Sequence, residues 1–159
     1  MREVTFHPIG KVKIENGRFF IELEERYAEA LTGIEEYSHI QAVWWFHLYD
    51  NEETRNYLVM DKPYTNGPDK VGVMASRSPI RPNPIGITAC TLIGLQTGRR
   101  LEVAYIDAEN DTPILDIKPY EPSIDRIRDV SMPKWCQHWP QYLEDNESFD
   151  WESEFNHPQ

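Results

Sequence analysis

The sequence predicts a mostly β fold of short antiparallel strands, closed as a barrel or layered as a sandwich, in a single domain. Three observations carry that expectation. Strand-length runs with alternating residues recur along the chain, the longest being Ser38 to Tyr49. Tight-turn dipeptides, Asn16-Gly17 and Thr97-Gly98, join neighbouring runs as hairpins. Twelve prolines and eight glycines break 159 residues into short elements, yet the chain is long enough to bury a real core.

Taken in order, Val4 to Ile14 reads as a strand, and Pro8, lacking a backbone donor, puts it at an edge or a bulge. Arg18 to Leu23 returns as its partner, with Phe19, Ile21 and Leu23 alternating against Arg18, Phe20 and Glu22. Glu24 to Leu31 is a short helical candidate closed by Gly33. In Ser38 to Tyr49 the even face (Ile40, Ala42, Trp44, Phe46, Leu48) is wholly apolar. The odd face (His39, Gln41, Val43, Trp45, His47, Tyr49) is mixed, which suits a wall whose mixed side lines something. Asn51 to Met60 has no decisive pattern, and Val71 to Ala75 is a short strand leading into a proline-rich loop. Ile87 to Gln96 and Arg99 to Ile106 pair around Thr97-Gly98, and Ile114 to Tyr120 is a last strand ended by Pro119 and Pro122. Trp135 to Leu143 suggests a helix interrupted at Pro140. These elements divide the chain into a β domain over 1–133 and an acidic tail over 134–159, partly disordered or clasped to the body.

The net charge of −11 argues against non-specific binding to phosphate backbones, but leaves room for a nucleic acid held by a local basic patch. From Lys134 onward one lysine faces six acids, so the tail is the most acidic part. No apolar run reaches the length of a membrane span, and the N-terminus lacks the apolar block of a signal peptide. A cytoplasmic setting without a membrane partner is therefore expected. Cys90 and Cys136 fit a reduced compartment, Cys90 as a small buried residue in ITACTLIG. The histidines (His7, His39, His47, His138, His157) form no ligand cluster with each other or with cysteine, so no metal is expected. A nucleophile elbow, a reactive-looking cysteine, a Walker A loop and a G-x-G-x-x-G turn are all absent from the sequence.

Two polar concentrations remain. The first is Arg77-Ser78-Pro79-Ile80-Arg81-Pro82-Asn83-Pro84-Ile85-Gly86. Its prolines exclude helix and central strand, and push each preceding residue toward extended backbone. A stiff loop holding two guanidinium groups and an amide loses little entropy on binding, so it suits a pre-organised site. The second is Asp107-Ala108-Glu109-Asn110-Asp111-Thr112-Pro113 and the strand after it, where Asp116, Lys118 and Tyr120 share one face. From pattern alone that face is equally a solvated edge or a binding face.

These segments resemble the TsaA-like, or TrmO, family of S-adenosylmethionine-dependent tRNA methyltransferases. Ser76 to Gly86 follows the family's T-R-S-P-F-R-P-N-P-I-G loop, and Asp107 to Tyr120 follows D-L-x-D-G-T-P-V-L-D-I-K-P-Y. Ser38 to His47 is similar to S-H-I-W-V-I-F-x-F-H, and Phe6 to Val12 to F-x-P-I-G-x-V; together they extend over about residues 3 to 122. The resemblance implies a compact antiparallel β-barrel rather than a Rossmann methyltransferase, in a homodimer with S-adenosylmethionine near the interface. By motif, Phe46 and His47 flank the cofactor, Arg77 and Ile87 contact it, and Asp107, Ala108, Glu109 and Asn110 close around it. Arg81, Asn83, Asp116, Lys118 and Tyr120 are implied as substrate-facing or supporting residues. The chemistry suits them: a phenyl face for adenine or sulfonium, a guanidinium fork for the carboxylate, an acid for the ribose hydroxyls or the ammonium. In-line methyl transfer needs alignment and exclusion of water more than a nucleophile or metal. His47 and Asp116 are the candidates for any general base.

Three departures bear on the acceptor. Asn110-Asp111 replaces the family's D-G, so a side chain projects where there was none. Ile14 to Arg18 is a tight turn where longer members carry a Q-P-G-like segment that helps hold the cofactor. An acidic tail follows where longer members carry a further C-terminal domain that helps engage tRNA. The expected activity is N6-methylation of threonylcarbamoyl-adenosine in tRNA. The alternatives are methylation of a small molecule, or a non-catalytic S-adenosylmethionine-binding module with a regulatory role.

Overall fold

A computed structural model describes residues 3–156; His157 falls outside them. The main body is a closed barrel of six antiparallel strands in the spatial order β1-β2-β7-β6-β3-β8. In sequence these are β1 (Gly10–Glu15), β2 (Arg18–Leu23), β3 (His39–Trp45), β6 (Ile85–Gln96), β7 (Arg100–Val103) and β8 (Pro113–Pro119). β4 (Val59–Asp61) and β5 (Lys70–Gly72) form a separate two-stranded sheet. Helices α1 (Glu52–Asn56) and α2 (Pro122–Asp125) are single turns. Among the described residues no helix is long and apolar enough to cross a membrane.

The hairpins close where the turn dipeptides require. Asn16 (φ 51) and Gly17 (φ 76) turn β1 into β2, and Thr97 (φ 52) and Gly98 (φ 71) turn β6 into β7. Two successive positive φ values match the right-handed twist of the flanking strands. Inward residues of every strand meet in one core, including Val12, Ile21, Leu23, Ile40, Ala42, Trp44, Cys90, Leu101, Val103 and Ile114. Cys90 is fully buried, and burial pushes its thiol up to about 12.

β3 pairs with β6 on one side and β8 on the other, with Trp44 opposite Gly86 and Gln41 opposite Lys118. A bulge between Val43 and Trp44 shifts the β8 register, so Ile114 is buried although Asp116, two residues on, is not. Strand alternation alone would have put both on one face.

Several boundaries differ from the sequence reading. The first strand begins at Gly10; before it Ile9 alone is tied in, its amide donating to Ile114 O at 2.8 Å and its carbonyl accepting from the Glu24 amide at 2.9 Å among the described residues. β3 ends at Trp45, not Tyr49: Phe46 turns the chain (ψ 65) and His47–Tyr49 forms a 3-10 turn. Glu25–Leu31 is also a 3-10 run. Val71 to Ala75 is half strand, half turn, with β5 giving way at Val73. The unassigned stretch holds α1, capped by the Asn51–Thr54 box, and then β4. No helix forms over Trp135 to Leu143; Lys134–Cys136 is one 3-10 turn and the next starts at Leu143. Pro140 removes the donor a continuous helix would need.

Candidate functional site

The proline loop is rigid through its own bonds. Ser76 Oγ accepts from the Ser78 amide and Ser78 Oγ from the Ile80 amide, both at 3.2 Å. Arg81 reaches back to the Ser76 and Ser78 carbonyls, each at 3.5 Å, and to Met74 Sδ at 3.7 Å. Arg55 Nη1 donates to Pro82 O at 3.3 Å, and the Phe46 amide donates to Pro84 O at 2.7 Å. This last bond fixes the loop to the point where β3 ends.

That junction opens into a cleft of about 420 Å3. Its aromatic wall is Phe19, Trp44, Phe46, Tyr49 and Tyr105; Arg77 and Pro79 come from the proline loop, and Asp107, Ala108 and Glu109 from the segment after β7. The rings interlock edge to face, Trp44 on Phe46 with centroids 4.2 Å apart and Phe19 on Tyr105 at 5.3 Å. His47 also lines the cleft, its Nδ1 facing the buried Thr112 hydroxyl at 3.4 Å. Arg77 Nη2 donates to Ile87 O at 2.8 Å. No carboxylate pairs with Arg77 among the described residues, which leaves most of its five N–H donors available. Tyr105 donates to Asp107 Oδ1 at 3.3 Å; although the residue is exposed, partial desolvation first, then that carboxylate, holds its hydroxyl above the usual phenol range.

Of the residues named from the sequence, Phe46, His47, Arg77, Asp107, Ala108 and Glu109 are thus gathered on one cleft. Ile87 does not line the cleft, but its carbonyl holds Arg77, which does. Asn110 sits at its back: the Asn110 side-chain oxygen accepts from the Ile14 amide at 2.9 Å. Five others stand elsewhere. Arg81 braces its own loop, and Asn83 lines a different hollow with Trp45 and Arg55. Asp116 and Lys118 pair with each other at 2.9 Å on β8, and Tyr120 lies against His39 at the far end of β3, with ring centroids 6.3 Å apart. The cleft also contains residues that sequence reasoning did not single out: Ile14, Phe19, Tyr105, Ile106 and Thr112. Ile14 and Phe19 stand beside the β1–β2 turn and Tyr105, Ile106 and Thr112 in the segment between β7 and β8, and only barrel closure brings these places together.

Asp111 has a φ of 63, the left-handed conformation that glycine adopts freely. Its carboxylate pairs with Lys13 at 2.7 Å and Lys11 at 3.0 Å, fastening the loop to β1. The two lysines hold that carboxyl below the usual range. Asp111→Ala is therefore expected to lower Tm more than Asp111→Gly, because alanine loses both pairs and keeps the strain. Thermal unfolding of the two variants checks the order.

The family model described as the tRNA-methyltransferase O N-terminal domain matches residues 3–126. A probable S-adenosyl-L-methionine-binding protein of Pyrococcus abyssi is 40% identical over 105 residues, 66% of this chain and 53% of that protein. Another so described, from Methanocaldococcus jannaschii, is 37% identical over 119 residues, 74% of this chain and 93% of its own length. The crystal structure of TrmO from Pseudomonas aeruginosa superposes with a TM-score of 0.62 at 29% identity, covering 82% of this chain and 62% of that one.

Proposed function

The chain belongs to the tRNA-methyltransferase O N-terminal-domain family, and on that premise we propose that it is an S-adenosylmethionine-dependent methyltransferase acting on N6 of threonylcarbamoyl-adenosine in tRNA. The observation that carries this reading is the convergence of Phe46, His47, Arg77, Asp107, Ala108 and Glu109 on one cleft. The cleft's size falls in the range of small-molecule sites. Its donor set fits the cofactor: an aromatic wall, a guanidinium without a carboxylate partner among the described residues, and two acids on the same cleft. Arg77 would hold the carboxylate of the cofactor, Phe46 the adenine, and Asp107 the ribose hydroxyls or the ammonium. S-adenosylmethionine supplies a methyl group on a sulfonium leaving group when bound. Ala108 and Glu109 would close around the cofactor from the segment after β7.

His47 is the favoured acceptor of the proton released from the methylated nitrogen, because it lines the cleft and only one of its ring nitrogens has a partner among the described residues. Asp116 is the weaker candidate, held by Lys118 and the Ile117 amide. His47→Asn is expected to lower kcat by about 100-fold, and Asp116→Ala by less than about threefold. The opposite order in a turnover assay would move the role to Asp116.

A second reading is favoured by one observation, the net charge of −11. An acidic surface suits a small-molecule acceptor, or a regulatory module that binds the cofactor without transfer. Incorporation of tritiated methyl groups into total tRNA separates the two. Labelled tRNA supports the first reading; a chain that binds cofactor yet labels no tRNA supports the second. The chain is further proposed to act as a homodimer. Leu48, Tyr49, Tyr105 and Ile87 expose large apolar surface around the cleft, and a second copy would cover it. Light scattering on the eluting peak measures that mass directly.

A further inference from the structure

The residues after Lys134 lie beyond the matched family segment and build a core of their own. Tyr64, Trp135, Trp139, Phe149, Trp151 and Phe155 form a continuous chain of ring contacts, with Tyr64 stacked on Trp135 at 4.7 Å and Trp139 edge-on to Trp151 at 5.3 Å. Glu154 is buried among them at 6% exposure. Its carboxylate meets His138 Nε2 at 2.8 Å and accepts from Trp139 Nε1 at 2.9 Å. These two donors hold its carboxyl below the usual range. A buried carboxylate is costly unless its oxygens are bonded, and here each oxygen of Glu154 has a partner.

The tail is fastened to one place, the loop between β4 and β5. The Thr65 amide donates to Glu154 O and the Asn156 amide to Pro63 O, both at 3.0 Å, and Thr65 Oγ1 donates to Ser153 O at 2.8 Å. Asn156 Nδ2 adds a bond to Lys62 O at 2.8 Å. Among the described residues β4 and β5 pair with each other and with no barrel strand, and an isolated hairpin is marginal in water. Directly after β5 comes the Val73–Ala75 turn and then Ser76 and Arg77. Burial first, and then the Cys136 thiol, pushes the Tyr64 hydroxyl above the usual phenol range, with Ser76 acting the other way.

We propose that the tail, with Glu154 as its keystone, is a positioning brace for Arg77: it supplies the core that the β4–β5 hairpin lacks, and the hairpin holds the entry of the proline loop. This rests on the reading of the cleft as the S-adenosylmethionine site. Arg77 touches the cleft and Glu154 does not, so the coupling runs through Tyr64, the hairpin and Ser76.

The test uses the full chain and two readouts. Hydrogen exchange of the peptide over 73–86 is expected to quicken at least threefold in Glu154→Ala, together with exchange over 134–156. Faster exchange confined to the tail, or none in either segment, overturns the brace. Titration with S-adenosylmethionine is expected to show about fivefold weaker binding in Glu154→Ala, and no further loss when Glu154→Ala is added to Arg77→Lys. Losses that simply multiply contradict coupling through Arg77. If Glu154→Ala does not fold, Glu154→Gln keeps an acceptor for Trp139 and is read in the same two assays. Wild-type chain that binds no S-adenosylmethionine defeats the cofactor reading instead, while the exchange result still decides whether the tail braces the loop.

Discussion

Replacing Gly86 by alanine is expected to lower stability by about 1–3 kcal/mol and to weaken cofactor binding with it. Gly86 pairs directly with Trp44 across β6 and β3, and the indole lies flat over it. A Cβ at Gly86 would stand 2.4, 2.5 and 2.7 Å from three indole atoms. The ring cannot move freely, because Trp44 is 3% exposed and its Nε1 donates to Thr88 Oγ1 at 3.1 Å. Any shift passes to Phe46, packed on Trp44, and so to the cleft wall. Gly94 lies in the same strand, and a Cβ there meets nothing within 4 Å. Gly94→Ala is therefore the control expected to leave the urea midpoint unchanged. Equal midpoints for both variants would show that Trp44 relaxes at no cost.

Removing the Arg77 side chain is expected to weaken S-adenosylmethionine binding by about 10- to 100-fold with little change in Tm. A charge-assisted hydrogen bond to a carboxylate contributes about 1.5–3 kcal/mol, and each 1.4 kcal/mol is about tenfold in affinity. Arg77 is exposed, and among the described residues its hydrogen bond is to Ile87 O. Its loss therefore costs the fold little. Arg81→Ala is expected to act differently: Arg81 makes three contacts within its own loop, so its removal loosens the loop and lowers affinity less. Titrations of the two variants beside a melting curve separate direct from indirect effects.

The sequence made the barrel legible because local rules and closure agree. Asn16-Gly17 and Thr97-Gly98 fix two hairpins, and alternation in β3 puts Ile40, Ala42 and Trp44 inside. It could not show how Phe46 and His47 reach one cleft. In a continuous strand neighbouring side chains point to opposite faces. Both line the cleft only because the chain leaves the strand at Phe46, held by the bond to Pro84. That bond joins residues 38 apart in sequence, and no local pattern records it. The same holds for Tyr64, which finds its partners in Trp135, Trp139 and Phe155 with no period linking them. Asp116, Lys118 and Tyr120 share a face as alternation requires, but the face is the outer side of the barrel wall, away from the cleft.

If the cleft beside the proline loop takes S-adenosylmethionine, the folded chain binds it in solution and Arg77 governs the affinity. Isothermal titration of the folded chain tests it most directly. Saturable binding that weakens at least tenfold in Arg77→Ala is the predicted result. No binding by a chain whose melting curve shows it folded, or binding indifferent to Arg77, would contradict it.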